Sequence, residues 1–130
     1  MDAVAEAGAR VRSADVALDA LIGYSLGGAP REPIATLIRA ANDSRTPVIV
    51  LDIPSGLDGD SGQPNDPTIR AARTVTLALP QRGLVQPAAR EWVGDLYVAD
   101  MSVPALVYDR LGLPVGPIFA AADLVRVNDT

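Results

Sequence analysis

The run Asp52-Ile53-Pro54-Ser55-Gly56-Leu57-Asp58 brings a carboxylate, a proline-fixed turn, a hydroxyl and a glycine to the end of an apolar stretch. Pro54 sets φ, and Gly56 permits close backbone approach. Asp52 at such a strand end suits a general acid or base, and equally a turn whose carboxylate caps backbone amides. A second carboxylate, Asp19, lies inside the apolar run Asp15–Ile22. A lone Asp there costs free energy unless it is paired or hydrogen-bonded. It is either structural or a cation ligand. A hard cation such as potassium or magnesium takes oxygen donors, which Asp19, Ser55 and loop carbonyls can supply.

Two further runs carry motif-like spacing. Gly23-Tyr24-Ser25-Leu26-Gly27 fits the G-x-S-x-G elbow of serine hydrolases. The chain has no histidine to act as its base, and Gly28, Pro30 and Pro33 follow where an elbow turns directly into a helix. A flexible glycine loop fits better, as does one whose backbone N–H groups approach an anionic ligand. Asp58-Gly59-Asp60-Ser61-Gly62 has the outline of a calcium loop, but position 69 is Ile where the bidentate Glu belongs. A solvated loop is expected.

Composition narrows the chemistry. The 130 residues fit one domain, and 48% hydrophobic with 21% charged residues describes an ordered globular chain. With no cysteine, disulfides, thiolate catalysis and cysteine metal sites are excluded. All 11 basic residues are arginine, so there is no lysine for a Schiff base or a Walker-type phosphate contact. A net charge of −5 and few aromatics argue against nucleic acid as a partner. No apolar run approaches the roughly 20 residues of a membrane span, and Met1–Arg12 lacks a signal-type core, so a cytoplasmic location is expected.

The elements that must position these residues follow from patterning. Met1–Ala14 reads as the end of a helix. Strands are expected at Asp15–Ile22, Pro47–Asp52, Ala71–Leu79, Asp95–Asp100 and, last, Ala121–Val127. Ile34–Asn42, apolar at 34, 37, 38 and 41, predicts a helix, and Pro104–Leu111 a short one. Gly23–Pro33 and Ile53–Pro67 read as loops. Buried-type strands alternating with a helix predict a parallel α/β sheet, whose ligands bind outside the carboxyl ends of the strands. That rule directs attention to Asp19, Asp52 and Asp100.

Taken in order, Asp19–Leu26, Val50–Asp58 with Gly62, Ile69-Arg70-Ala71 leading into Thr74–Leu77, Leu79-Pro80 with Gly83-Leu84, and Gly94–Asp100 with Val103-Pro104 resemble the NAD(P)H-hydrate epimerase family over about residues 15–105. The Asp-Ile-Pro-Ser-Gly-Leu-Asp run is the most specific match. The resemblance implies a Rossmann-like, mostly parallel sheet flanked by helices in a three-layer α/β/α arrangement, truncated at its N-terminal side, with residues 1–130 forming a single partial domain. It implies an isomerase of nicotinamide-nucleotide repair that interconverts the R and S forms of hydrated NADH and NADPH. An ADP- or ATP-dependent dehydratase would be its functional companion, and a sheet edge left uncovered by the truncation would invite a homodimer or aggregation. By matched position, Asp19 and Ser55 would hold potassium. Gly23, Tyr24, Ser25, Leu26, Gly27, Gly28 and Ala29 would line the nucleotide site with Asp52, the expected acid–base group. The family's Asn-Asn-Gly-Gly-Asp-Gly phosphate loop has no counterpart here, and Gln81 stands where the family usually has Lys. These departures keep open an inactive remnant, or a nucleotide- or protein-binding module of the same fold; a serine hydrolase is the remote alternative.

Overall fold

The structure is a computed structural model that describes residues 2–23 and 27–128. Helix α1 (Ala3–Ser13) opens on Asp2, whose carboxylate accepts the Val4 N–H at 3.2 Å. It packs on α2 (Ile34–Asp43) through Gly8. A Cβ at that position would stand 3.4 Å from the Ala40 Cβ, so the glycine sets how closely the two helices approach.

Strands β1 (Ala17–Asp19), β2 (Val48–Leu51), β3 (Arg73–Leu77), β4 (Asp95–Ala99) and β5 (Leu124–Arg126) form one sheet in that order. The first four are parallel and β5 runs antiparallel to β4. The expected parallel α/β sheet is present, with shorter strands than patterning suggested. β1 is three residues rather than eight, and it ends at Asp19, whose carboxylate captures the Leu21 N–H at 3.2 Å and turns the chain out of the ladder. β3 stops at Leu77 because Ala78 takes φ 64°. The stretch between β3 and β4 folds into two 3₁₀ turns, Arg82–Val85 and Pro87–Ala89, followed by the four-residue α3 (Arg90–Val93). Helix α4 (Ala105–Arg110) buries none of its residues.

The burial pattern separates the two faces of the sheet. Successive strand residues point to opposite faces, and paired residues in register share one. Asp19, Val48, Val50, Thr74, Thr76, Leu96 and Val98 occupy one face, and all are buried. There α2 packs Ile38 onto Val48, Val50, Ile69 and Ala71. The turns and α3 pack Leu84, Ala89 and Val93 onto Leu96, together with Ile53 and Leu57 of the loop after β2. Thr74 satisfies its buried hydroxyl on the Val93 carbonyl at 2.8 Å. The opposite face carries Leu18, Ile49, Leu51, Val75, Leu77, Tyr97 and Ala99, and none of these is buried.

Strand order accounts for this asymmetry. Parallel crossovers are right-handed, so a sheet that grows in one direction, β1 to β4, lays every crossover over the same face. Among the described residues no helix is long and apolar enough to cross a membrane.

Candidate functional site

The loops after β1 and β2 meet at the carboxyl ends of those strands. Asp19, the last residue of β1, is 4% exposed. Its Oδ2 accepts the Ser55 N–H at 2.8 Å, and its Oδ1 accepts the Ser55 hydroxyl at 2.6 Å and the Leu21 N–H at 3.2 Å. Ser55, 1% exposed, accepts the Ile22 N–H on Oγ at 3.0 Å. One serine therefore ties the loop that begins after Asp19 to the loop that begins at Asp52.

Gly23 lies beside Asp52: a Cβ on the glycine would stand 3.2 Å from the Asp52 Oδ2. Asp52 has φ 76°, in the left-handed region that L side chains avoid, and its N–H is held by the Val75 carbonyl at 2.8 Å. Ala78 after β3 (φ 64°) and Ser102 after β4 (φ 58°) share that conformation. Among the described residues these are the only non-glycine positions with positive φ, and all three follow the carboxyl ends of parallel strands. Such clustering of strained backbone is usual at ligand sites.

The Pro54–Gly56 turn is braced from behind. Gly56 has φ 99°, and a Cβ there would fall onto the Pro67 carbonyl oxygen. The Gly56 carbonyl accepts both the backbone and the side-chain N–H of Asn65, at 3.0 and 2.9 Å. The Ser55 carbonyl accepts the Ile69 N–H at 2.9 Å. Asn42, at the end of α2, donates to the Thr68 carbonyl and accepts the Arg70 N–H, fixing the strand-like return. Asn65 and Asn42 escaped sequence reasoning. The only signal was an Asn inside a Pro-Asn-Asp-Pro turn and another in a helix's last turn, and both are ordinary capping positions.

The expected site residues are thus partly gathered. Asp19 and Ser55 are in direct contact, and Gly23 and Asp52 are adjacent. Gly27, Gly28 and Ala29 are exposed, and a Cβ at Gly27 or Gly28 would meet nothing within 4 Å. Tyr24, Ser25 and Leu26 lie outside the described residues. Asp100 closes β4, and its carboxylate accepts the Ser102 N–H at 2.8 Å. The 58–62 segment is a turn: the Asp58 carboxylate accepts the N–H groups of Asp60 and Ser61 at 2.9 and 2.8 Å. Those amides, Ser61 first and Asp60 next, hold its carboxyl below the usual aspartate range.

The acceptors around Asp19 are of the kind a hard cation takes. They are oxygens only, a carboxylate and a hydroxyl with the Ile22 carbonyl 3.4 Å from Ser55 Oγ. The buried carboxylate has neutral hydrogen-bond donors and no arginine ion pair among the described residues. A buried charge in that situation gains from a bound cation.

Comparison with known proteins places these loops in a family. The family described as YjeF-related protein N-terminus matches residues 2–83. The "NAD(P)H-hydrate epimerase" of Dehalogenimonas lykanthroporepellens is 46% identical over 116 residues, covering 88% of this chain and 46% of that protein. The "Bifunctional NAD(P)H-hydrate repair enzyme Nnr" of Pyrobaculum aerophilum is 44% identical over 118 residues, covering 90% of this chain and 23% of that protein. Among solved structures, the yeast protein ynu0 superposes with a TM-score of 0.69 at 22% identity, covering 87% of this chain and 46% of that one, which shows the shared fold. The chain spans less than half the length of each of these proteins.

Proposed function

The chain belongs to the YjeF-related protein N-terminus family, and from that premise we propose that it serves as the catalytic-loop portion of an NAD(P)H-hydrate epimerase, acting on the R and S forms of hydrated NADH and NADPH. The observation that carries this reading is the junction of the two strand-end loops, where Ser55 bridges Asp19 and Ile22 while the Asp52 carboxylate lies against Gly23. A glycine at that point leaves room for a ligand beside the carboxylate.

In this reading Asp52 is the acid–base group. Its backbone stands at φ 76° with its N–H on the Val75 carbonyl, and its Oδ2 lies beside Gly23. The chain has no histidine, lysine or cysteine, so a carboxylate is the natural candidate for proton transfer near neutral pH. Asp19 and Ser55 are the residues that would hold potassium, whose charge would favour an anionic nucleotide near the loops. The glycine loop from Gly23 through Ala29, including Tyr24, Ser25 and Leu26, would line the nucleotide. Relatives named as bifunctional repair enzymes support a functional link to a dehydratase acting on the same substrate.

A binding module without turnover is the second reading. Gln81 favours it: an uncharged side chain, resting against Gly59, stands where the family usually has the charged Lys.

The test is epimerisation of (R)-NADPHX by the purified protein in potassium buffer, coupled to an S-specific dehydratase, with Asp52→Asn alongside. Turnover that the variant loses by at least about a hundredfold is expected. Equal rates for both proteins would remove Asp52 from the chemistry. No turnover from folded protein would leave the binding module. Stabilisation by potassium over sodium, absent in Asp19→Asn, is the matching thermal-shift result.

A further inference from the structure

We infer that the cavity at the carboxyl end of β4 seats a planar heterocycle bearing an NH2 group, a chemistry shared by the adenine and the nicotinamide ends of a hydrated dinucleotide. The class of ring rests on the cavity itself, and a dinucleotide as its source rests on the epimerase reading.

The cavity is built by the chain's own passage from β4 to β5. After Ala99 the chain runs through Ser102, at φ 58°, into α4, which buries none of its residues. Residues 113–123 then return to β5. The Tyr108 carbonyl accepts the Leu113 N–H at 3.0 Å, and the Asp123 carbonyl accepts the Asp100 N–H at 2.8 Å. The return is tied at both ends, and Pro114 and Pro117 restrict its backbone between them. Between α4 and this return a space of about 290 Å³ stays open, lined by Asp100, Ser102, Val103, Tyr108, Ile118 and Phe119 among others. That size suits one ring system rather than a whole dinucleotide.

The lining selects the class of ligand. The chain has one phenylalanine, three tyrosines and one tryptophan, and Phe119 and Tyr108 both line this space, each half-buried. Such side chains offer flat apolar surface to a ring. No basic residue lines the cavity, although the chain has 11 arginines. A phosphate or a carboxylate would find no charged partner in it. The charged group present is the Asp100 carboxylate. Among the described residues it accepts the Ser102 N–H at 2.8 Å and enters no ion pair. A carboxylate accepts several hydrogen bonds, so Asp100 keeps capacity for an NH2 donor. A flat ring carrying that donor meets the aromatic and the acidic parts of the lining together.

Position connects the cavity to the candidate site. Asp52, Ala78 and Ser102 follow the carboxyl ends of three consecutive parallel strands. Neighbouring strands lie roughly 4.8 Å apart, which puts the end of β4 about 10 Å from the end of β2. A dinucleotide with its nicotinamide ring at Asp52 spans that distance, and its adenine then reaches the cavity. Laid in the reverse sense, the same molecule would place its nicotinamide there.

The experiment follows the amide resonances of the purified chain during titration with adenosine and with nicotinamide. Each is run beside an analogue lacking the NH2 group, purine riboside and methyl nicotinate. Expected are shifts at residues 100–108 and 115–120, with the tighter ligand identifying the end that the cavity takes. The matching analogue should bind about tenfold more weakly, as should the parent ligand to Asp100→Asn. Phe119→Ala should lose about tenfold by removing ring contact, and both variants should keep the wild-type resonances of β1 to β4. Four results would overturn the inference: no shift at those residues with either ligand, equal binding of ligand and analogue, wild-type binding by both variants, or the same shifts with inorganic pyrophosphate. Ring binding without epimerase turnover counts against the epimerase reading alone. Turnover without ring binding at these residues counts against the cavity alone.

Discussion

Ser55 gives both its backbone N–H and its hydroxyl to the two carboxylate oxygens of Asp19, at 2.8 and 2.6 Å, across 36 positions of sequence. This contact joins the ends of β1 and β2 inside a region almost closed to water. Every buried side-chain nitrogen and oxygen among the described residues has a partner, so removing either member leaves a group unpaired.

Asp19→Ala should therefore destabilise the fold by about 3 kcal/mol, because the Ser55 N–H and hydroxyl and the Leu21 N–H all lose their acceptor. Ser55→Ala should cost less, about 1–2 kcal/mol, since Asp19 keeps the backbone donors. Urea unfolding measures both. Equal losses in the two variants would mean that the carboxylate does not organise the junction.

Asp52 makes the opposite prediction. A non-glycine residue at φ 76° stores strain of about 1 kcal/mol, somewhat less for Asp than for bulkier residues. Asp52→Gly should raise the unfolding midpoint while removing the proposed acid–base group. A protein that becomes both more stable and inactive would identify strain held for function. A loss of stability in Asp52→Gly would show that the side chain has a structural role instead.

Gly28 and Gly56 separate conformational strain from collision. Both have φ 99°, but a Cβ at Gly28 would stand in open space, whereas one at Gly56 would meet the Pro67 carbonyl and Thr68. Gly28→Ala should cost about 1 kcal/mol, the left-handed penalty alone. Gly56→Ala should cost at least about 2 kcal/mol more, because the 64–68 return must move. Thermal denaturation of the pair gives the difference directly, and equal shifts would contradict the close approach.

Asp58 sets a pH signature. Its carboxyl is held below the ordinary aspartate value by the Ser61 and Asp60 amides, so the folded state binds its proton less readily than the unfolded chain. The stabilisation is fully present above the unfolded value, roughly 3.9, and is lost as pH falls through the lower folded value. Wild type and Asp58→Asn should differ in stability at neutral pH and converge below that window. A difference that persists at lower pH would exclude the charge as its source.

Much of this arrangement was legible from residue order. The helical face at 34, 37, 38 and 41, the apolar run ending at Asp52 and the loop positions of Gly23, Asp52 and Ser55 all have direct sequence signals. Asp19 was legible as a carboxylate in need of a partner, although only the three-dimensional structure gives that partner as Ser55. The end of β1 was hidden, because an Asp that turns its own chain reads the same as an Asp inside a strand. The 80–93 stretch was hidden for a different reason: Pro80 and Pro87 interrupt it, and 3₁₀ turns have no apolar period to detect. The three-residue β5 is too short for patterning to reveal its direction, which its pairing with β4 makes antiparallel.

The monotonic strand order also bears on how the molecule is made. Neighbours in this sheet are neighbours in the chain, so no ladder joins distant parts of the sequence. As the polypeptide leaves the ribosome, each parallel strand after the first finds its template already formed, and zippering can follow translation. The first ladder closes once Val48–Leu51 has emerged to pair with Ala17–Asp19, and the Ser55 bridge to Asp19 can form only a few residues later.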